Sequence, residues 1–362
     1  MAKLINQYWA DRQMRNFEAG EKDILQLATE LKDNYDRAIA EIEKEINAFY
    51  GKFAKEQGIT IQQAKKLLDK TQLKSFKVQL DDYIEYSKEH EFDKNYIQEL
   101  TLLKYRTNVS RLEELKANIK FQIAKLTSKN QSQIFNELLK SYDEAYLAGI
   151  FNISSDIGLS IMFAKPAISV IEKYLTYPTN VGNYAIGKNQ IWEYQIPKLM
   201  NILNTQIPQG IVLGQNPVKV AKQAAKVLNT DLNNTIRLVR TEYNHIFNEA
   251  TFDSYKACGV EQYQIVVTLD ERTCDHCGPM DLLVVRLADK IEGVNAPAFH
   301  PNCRCITVEY FEPDEFDKHS ERIAKDKNGK PYMVPSNLTF TEWKAGLREH
   351  KGGVQYWQPK EG

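Results

Sequence analysis

The sequence predicts an α+β protein: a mainly α-helical N-terminal region followed by a small α+β module stapled by zinc. Three observations predict this class. Apolar residues recur every three or four positions through the first 150 residues, and short runs rich in β-branched residues appear after residue 260. Four of the five cysteines lie near one histidine between residues 274 and 305. Helical periodicity, strand composition and metal-ligand spacing thus occupy different parts of one chain.

The composition is that of an ordinary folded protein. The 362 residues are 43% hydrophobic and 26% charged, with a formal net charge of -1. This balance gives no general reason to expect nucleic acid or an anionic membrane as a partner. No stretch approaches the roughly 18 apolar residues of a membrane span, and the N-terminus lacks the apolar core of a signal peptide. We therefore expect folding in a reducing cytoplasm, where clustered cysteines hold metal more often than they form disulfides.

Apolar stripes in residues 1–150 predict long amphipathic helices. The first stripe comprises Ile24, Leu27, Leu31, Tyr35, Ile39, Ile42, Ile46, Phe49 and Phe53. Two further stripes run from Leu112 to Leu126 and from Ile134 to Tyr146. Such faces need partner helices, either in an intramolecular bundle, which we favour, or on another protein. We predict that residues 1–150 form an α-helical docking region.

A second helix is predicted just after the first stripe. Thr60 and Gln63 have the spacing of a capping box, which indicates a helix that runs through Leu67 and Leu68.

Residues 151–230 are predicted to be a mixed linker and helical segment, because prolines and glycines interrupt the periodicity. Helical character returns at Pro217, since proline suits the first position of a helix. A longer helix is expected from Asp231 to Ala257, and Gly259 stops it.

Residues 231–311 are predicted to form the α+β module. Strands are expected at Tyr263–Leu269, Leu282–Arg286 and Ile306–Tyr310.

Residues 312–362 are predicted to form a tail, with a hairpin turn at Asn328–Gly329 and a short helix after Thr341 that contains Trp343.

The metal-ligand candidates form two pairs and one extra donor. Cys274 and Cys277 are three positions apart, as in a tight knuckle whose thiolates converge on one ion. On the far side His300 and Cys303 repeat that spacing, while Cys303 with Cys305 offers an extended alternative. Five candidates compete for four tetrahedral positions, so the sequence leaves the fourth ligand open between His300 and Cys305 beside Cys303. Asp270, Arg272 and Arg304 flank the ligands, and Arg304 is expected either to neutralise thiolate charge or to pair with Asp270.

Catalytic interpretations fit the sequence less well. A catalytic zinc needs an open position and a nearby general base, and a zinc deaminase needs H-x-E before P-C-x-x-C. Here His319-Ser320-Glu321 follows the cysteines, and Thr273 stands where the proline would. Neither GxxxxGK[ST] nor GxGxxG occurs, so nothing indicates nucleotide binding. We expect structural zinc, no enzymatic activity and no small-molecule substrate.

Several motifs resemble the phage Mu F-like (MuF) head morphogenesis family, in particular minor capsid proteins of phages that infect Gram-positive hosts. The residues that carry the resemblance are Tyr8-Trp9, Asn16-Phe17-Glu18-Ala19-Gly20-Glu21, Phe49-Tyr50-Gly51-Lys52, Leu238-Val239-Arg240-Thr241-Glu242, Asp270-x-Arg272-Thr273-Cys274-x-x-Cys277, His300-Pro301-x-Cys303-Arg304-Cys305, and the tail from Gly329 through Val334-Pro335 to Trp343. Family members usually carry Asp-Gly after the CxxC. Here Asp281 is followed by Leu282, which leaves the turn type open.

The resemblance implies a low-copy virion protein in the head interior at the portal vertex, which acts in head assembly or genome delivery and in some relatives leaves with the DNA. Its expected partners are the portal protein and the inner capsid, with packaged DNA as a further candidate. Some relatives carry C-terminal toxin domains, so a delivered effector enzyme is the alternative, and a zinc-dependent nuclease is another. Only some fifty residues follow Phe311, which is short for a catalytic domain.

Overall fold

The computed structural model describes residues 7–51, 66–156, 164, 166–176, 197, 199–201, 203, 205–206, 209, 215, 217–311, 321–326, 330–335, 338–349 and 355–357. The protein is α+β, with a mainly helical N-terminal region followed by small sheets. Its helices are α1 Gln7–Gly51, α2 Lys70–Glu89, α3 Lys94–Tyr105, α4 Arg111–Asp156, α5 Ile168–Thr176, α6 Pro217–Cys258 and α7 Phe340–Gly346. No helix in these ranges combines the length and apolar character that crossing a membrane would require.

The strands form three small antiparallel sheets. They are β1 Gln262–Val266, β2 Val284–Arg286, β3 Ile306–Glu309, β4 Glu321–Lys325, β5 Pro331–Pro335, β6 Leu347–Glu349 and β7 Gln355–Trp357. The order β2-β1-β3 places β1 at the centre of the first sheet, with Tyr263 opposite Val285 on one side and Glu309 on the other. The other sheets are the pairs β4-β5 and β6-β7. The three strands predicted from β-branched runs are confirmed.

The chain groups into two units. The helical unit consists of Leu27–Phe135 and Ile186–Ile236, and the mixed unit of Met1–Gln26, Asn136–Ala185 and Arg237–Gly362. In the helical unit the Tyr35 hydroxyl donates a hydrogen bond of 2.6 Å to Asp231, and the ring of Tyr83 stacks on Phe121 at 3.8 Å between centroids. The predicted boundaries at residues 150, 230 and 311 stay a prediction.

In the mixed unit, helix segments far apart in sequence are joined by polar contacts. Lys140 Nζ lies 2.6 Å from the Asp23 carboxylate, and the Tyr142 hydroxyl donates to Asp253 at 2.7 Å. The apolar core of this unit gathers Phe252 and Tyr255 of α6 with Tyr263 and Ile265 of β1. This core lies directly under the loops that carry the cysteines.

The apolar stripes face inward, as an intramolecular arrangement requires. The buried members are Ile24, Leu27, Leu31, Tyr35, Ile42, Ile46, Phe49, Leu115, Ile119, Ile123, Leu126, Ile134, Leu138, Tyr142 and Tyr146. Ile39 is half-buried, and Phe53 lies outside the described residues. A docking surface on residues 1–150 would therefore have to use other residues than these.

The helix predicted through Leu67 and Leu68 is wrong. Leu67 pairs with Ser110 in an isolated bridge, and the helix begins only at Lys70. Its N-cap is Asp69, which accepts from the Gln72 amide while the Gln72 side chain accepts from Asp69 N–H, a complete capping box. The first cap that the sequence offered, Thr60 with Gln63, lies outside the described residues.

The helical start predicted at Pro217 and the stop at Gly259 are confirmed, but the separate helix start predicted at Asp231 is wrong. Helix α6 runs without a break from Pro217 to Cys258, and Gly259 then takes φ 72°, a left-handed conformation that glycine adopts without strain. Strands β4 and β5 pair as the predicted hairpin, although Asn328 and Gly329 lie outside the described residues. Helix α7 contains Trp343, whose indole N–H donates to Tyr332.

Candidate metal centre

The first pair of cysteines lies on the loop between β1 and β2. The Gly278 amide donates to the Cys274 carbonyl at 3.0 Å, which closes one turn around the CxxC segment. The Cys277 amide donates to the Cys274 sulfur at 3.4 Å, as in a metal knuckle. The loop is anchored at its far end by Asp281, whose carboxylate accepts from the Val267 amide at 3.0 Å.

The second group lies immediately before β3. The Cys303 amide donates to the His300 carbonyl at 3.1 Å, and Asn302 between them takes φ 59°, so the chain turns tightly here. Cys305 then leads into β3 at Ile306. Because β1 lies beside both β2 and β3, the two loops are brought together at the same part of the sheet.

The structure brings all five ligand candidates together in two overlapping groups. One contains Cys274, Cys277 and His300, and the other contains Cys277, Cys303 and Cys305; within each group the ligand atoms lie within 4.8 Å of one another. The Cys277 and Cys303 sulfurs are 4.0 Å apart, against about 3.8 Å for two sulfurs on one tetrahedral zinc. His300 Nε2 lies 3.2 Å from the Cys274 sulfur and 3.0 Å from that of Cys277. This cluster could hold a metal ion.

The imidazole of His300 is oriented for metal binding. Its Nδ1 lies 2.8 Å from the Pro301 carbonyl oxygen. Because a carbonyl oxygen can only accept a hydrogen bond, Nδ1 is the nitrogen that carries the proton. The lone pair of Nε2 therefore points toward the sulfurs. A backbone acceptor on the outer nitrogen is the usual way in which a metal-binding histidine is held in one tautomer.

The sulfurs are buried and interact with one another. Cys277, Cys303 and Cys305 are buried, and all five cysteines of the chain are free thiols. Hydrogen bonds from Cys277 and Cys305 hold the pKa of the Cys303 thiol well below its usual value. His276, inside the CxxC loop, is exposed, as expected for a residue that points outward.

Asp270 and Arg304 form a buried pair beside the cysteines. Two guanidinium nitrogens of Arg304 each lie 2.7 Å from a different Asp270 oxygen, which is bidentate geometry. Arg272 adds a backbone N–H bond of 3.0 Å but leaves its own side chain 72% exposed. Burial raises the pKa of Asp270, yet hydrogen bonds and charge from Arg304, helped by Arg272, outweigh burial and lower it. Of the two roles expected for Arg304, the structure shows the pairing with Asp270.

Sequence reasoning missed the contribution of α6. The side-chain amides of Asn244 and Asn248 donate to the Cys305 carbonyl at 2.9 Å and 3.2 Å, and both residues are fully buried. Residues 241–252 of α6 are all buried, so polar side chains there must find partners inside the protein. Two asparagines one turn apart in a fully buried stretch of helix are the signal that could have revealed this contact.

The same helix carries a buried ionisable cluster. Glu242 and His245 are 1% and 4% exposed, and burial raises the pKa of Glu242 to about 7. Arg240, two positions before Glu242, is exposed, so Arg240 and Glu242 lie on different faces of the helix. His245, Glu249 and Glu292 place their ligand atoms within 4.8 Å of one another.

Leu282 stands at the position where the family resemblance led us to expect glycine. It takes φ 61°, the left-handed region that favours glycine, and its side chain is buried. The turn after the CxxC therefore keeps a conformation suited to Asp-Gly although the residue is leucine.

Residues 201–308 match the family model described as "Phage Mu protein F like protein". The match covers under a third of the chain and includes His300 and the four clustered cysteines. No curated protein and no solved structure matches the chain significantly. The match supports a phage head morphogenesis protein in general, and it suggests a non-enzymatic role with capsid-related partners in the virion.

Proposed function

We propose that this chain is a minor head protein of the type found in tailed phages of Gram-positive hosts, standing inside the head at the portal vertex. There it acts in head morphogenesis or genome delivery without enzymatic activity. The observation that carries the proposal is the match of residues 201–308 to the Mu F-like family, in the part of the chain that contains the cysteine–histidine cluster.

The metal of this protein is a structural zinc. Cys274, Cys277, His300 and Cys303 supply four ligands, with Cys305 as the substitute for His300. Three thiolates with one imidazole, or four thiolates, suit zinc, and four protein ligands leave no position for a reacting water. Zinc would join the β1–β2 loop to the segment before β3, in a module whose sheet has only three strands. Asp270 and Arg304 hold the two loops beside it, and metal binding there contributes folding free energy.

Elemental analysis tests the zinc site. Wild-type protein purified without chelator should hold about one zinc per chain. Cys277→Ser should lose most of it, because the Cys277 sulfur belongs to both ligand groups and joins them. Cys258→Ser is the matched control and should keep the zinc, since this thiol lies outside both groups. A wild-type content below about 0.2 per chain would exclude a structural zinc site.

The partners are the portal protein and the inner capsid, contacted through residues 1–150, with packaged DNA as a further candidate. The buried stripes cannot serve as that surface, but Leu102 and Tyr105 are 62% and 73% exposed at the end of α3. Exposed apolar side chains of this size are suited to a protein contact.

The test uses the full-length chain and the phage that encodes it. Cross-linking of purified virions, followed by mass spectrometry, should join this chain to portal subunits, and deletion of its gene should leave defective heads or non-infectious particles. Leu102→Asp with Tyr105→Asp should reduce incorporation, whereas Val294→Asp, an equally exposed position in the C-terminal module, should not. Absence of the chain from virions would refute the proposed function, and unchanged incorporation of the double variant would refute the docking region alone.

A further inference from the structure

A second group of ligand atoms lies away from the cysteines, on α6 and the loop that follows β2. His245 and Glu249 are one helical turn apart, so their side chains emerge on the same face. Glu292 approaches from the loop, with its oxygen 2.7 Å from His245 Nδ1. His245 and Glu249 are 4% and 5% exposed, whereas the Glu292 side chain is 20% exposed. The group is therefore buried but has an opening toward solvent at Glu292.

An unpartnered carboxylate points to a missing positive charge. Glu242 lies one turn before His245 on the same helix face and is 1% exposed. Its Oε1 has no hydrogen-bond partner, and its charge interacts with both His245 and Glu292. Nδ1 of His245 and Oε1 of Glu292 form an ion pair at 2.7 Å, so these two atoms satisfy one another. The Glu242 Oε1 atom is therefore the buried oxygen beside this pair that is left without a hydrogen-bond partner.

Two of the three carboxylates in the group have an ion-pair partner. Lys290 pairs with Glu249, and His245 pairs with Glu292, which leaves the buried carboxyl of Glu242 without one. Burial of such a carboxyl favours its protonated form, because the low-dielectric interior does not replace the hydration of the anion. A divalent cation in the group would allow Glu242 to be ionised and would supply its missing bonding partner.

We propose that His245, Glu249 and Glu292 bind a first-row divalent cation, with Glu242 as a further oxygen donor. One imidazole nitrogen with several carboxylate oxygens suits Mn²⁺ or Fe²⁺, whereas the thiolates of the cysteine centre select zinc. When the cation binds, the Lys290 side chain moves away from Glu249. It can do so because it lies at the edge of the group and is 18% exposed. The cation would join α6 to the loop before His300, as a second tie between these segments.

Manganese binding to the full-length, zinc-loaded chain tests the site. The free Mn²⁺ signal in electron paramagnetic resonance should fall until about one Mn²⁺ is bound per chain, with Kd below about 100 μM. Zinc measured on the same sample should stay constant, which excludes exchange at the cysteines. Failure to bind Mn²⁺ at millimolar concentration would overturn the proposal and would leave the zinc site and the role in the phage head untouched.

Charge-removing variants locate the bound ion. Glu292→Gln should weaken Mn²⁺ binding at least about 10-fold, and Glu242→Gln should do the same if Glu292→Gln does not fold. Glu261→Gln is the matched control, because Glu261 is an exposed carboxylate in the same module and should leave the affinity unchanged. Circular dichroism and zinc content verify that each variant is folded. Equal affinity in the Glu292 or Glu242 variant and the control would overturn the proposal.

Discussion

Gly20 lies where α1 approaches Tyr243 of α6 within the mixed unit, and replacing it by alanine should destabilise the protein. A Cβ at this position would lie 2.2 Å from the Tyr243 hydroxyl oxygen and 2.8 Å from two ring carbons. The ring cannot move away easily, because Tyr243 is 2% exposed and its hydroxyl donates to the Phe17 carbonyl at 2.7 Å. Its centroid also lies 5.1 Å from that of Phe17.

Two effects of opposite sign decide the magnitude. Alanine favours an α-helix over glycine by about 1 kcal/mol. Overpacking a filled site costs about 1–3 kcal/mol, and a buried hydroxyl that loses its acceptor adds about 1–3 kcal/mol. The net expectation is a destabilisation of about 1–5 kcal/mol, since the helix preference offsets only about 1 kcal/mol of the two costs. Gly51 in the same helix is the matched control, because a methyl group added there would have nothing within 4 Å, so Gly51→Ala should be neutral or stabilising.

Hydrogen exchange measured by mass spectrometry reports both changes locally. In Gly20→Ala, amides in residues 7–26 and 237–258 should exchange at least about 5-fold faster, and up to a few thousand-fold faster, which corresponds to about 1–5 kcal/mol. Tyr243→Phe combined with Gly20→Ala should show non-additive stability, since removing the hydroxyl removes the shortest contact. If the amides in these two ranges exchange no faster in Gly20→Ala than in Gly51→Ala, the close approach of Gly20 to Tyr243 is wrong.

Three further outcomes follow from the mixed unit. Leu282→Gly should be about 1 kcal/mol more stable than Leu282→Ala in urea unfolding, because both lose the side chain and only glycine is relaxed at φ 61°; an alanine variant as stable as the glycine variant would contradict this. Arg304→Lys should cost about 1–3 kcal/mol by losing the bidentate pair with Asp270, while exposed Arg272→Lys should change stability by less than about 0.5 kcal/mol in the same assay. Burial raises the pKa of the Cys258 thiol to about 11, so its alkylation by iodoacetamide at pH 8 should be about 100-fold slower in folded than in urea-unfolded protein. Equal rates in both states would show that Cys258 is not shielded.

Local signals in the sequence predicted the elements around the candidate site. Pro217 and Gly259 marked the two ends of α6, because proline suits the first helical turn and glycine accepts the left-handed end of a helix, although the sequence did not predict that one helix runs unbroken between them past Asp231. Runs of β-branched residues located β1, β2 and β3 for the same local reason. The capping box at Asp69 and Gln72 was missed, although its spacing is a local signal.

Long-range packing could not be read in the same way. His245 and Glu292 are 47 positions apart. His245 lies on α6, whereas Glu292 lies on the loop that follows β1 and β2, so no periodic pattern in the sequence relates the two residues. The amide contacts of Asn244 and Asn248 with Cys305 likewise depend on where β3 lies over α6. Spacing identifies ligands that share a turn, such as Cys274 and Cys277, but leaves their distant partners open.

Three segments that lie far apart in sequence are in contact within the mixed unit. Phe17 and Gly20, from the N-terminal segment, pack on Tyr243, which directly follows the Leu238–Glu242 segment. The next residue, Asn244, holds the carbonyl of Cys305 in the cysteine centre. Residues near the N-terminus and the candidate zinc ligands thus meet on one stretch of α6. A substitution in any one of these segments is therefore expected to change the packing of the other two.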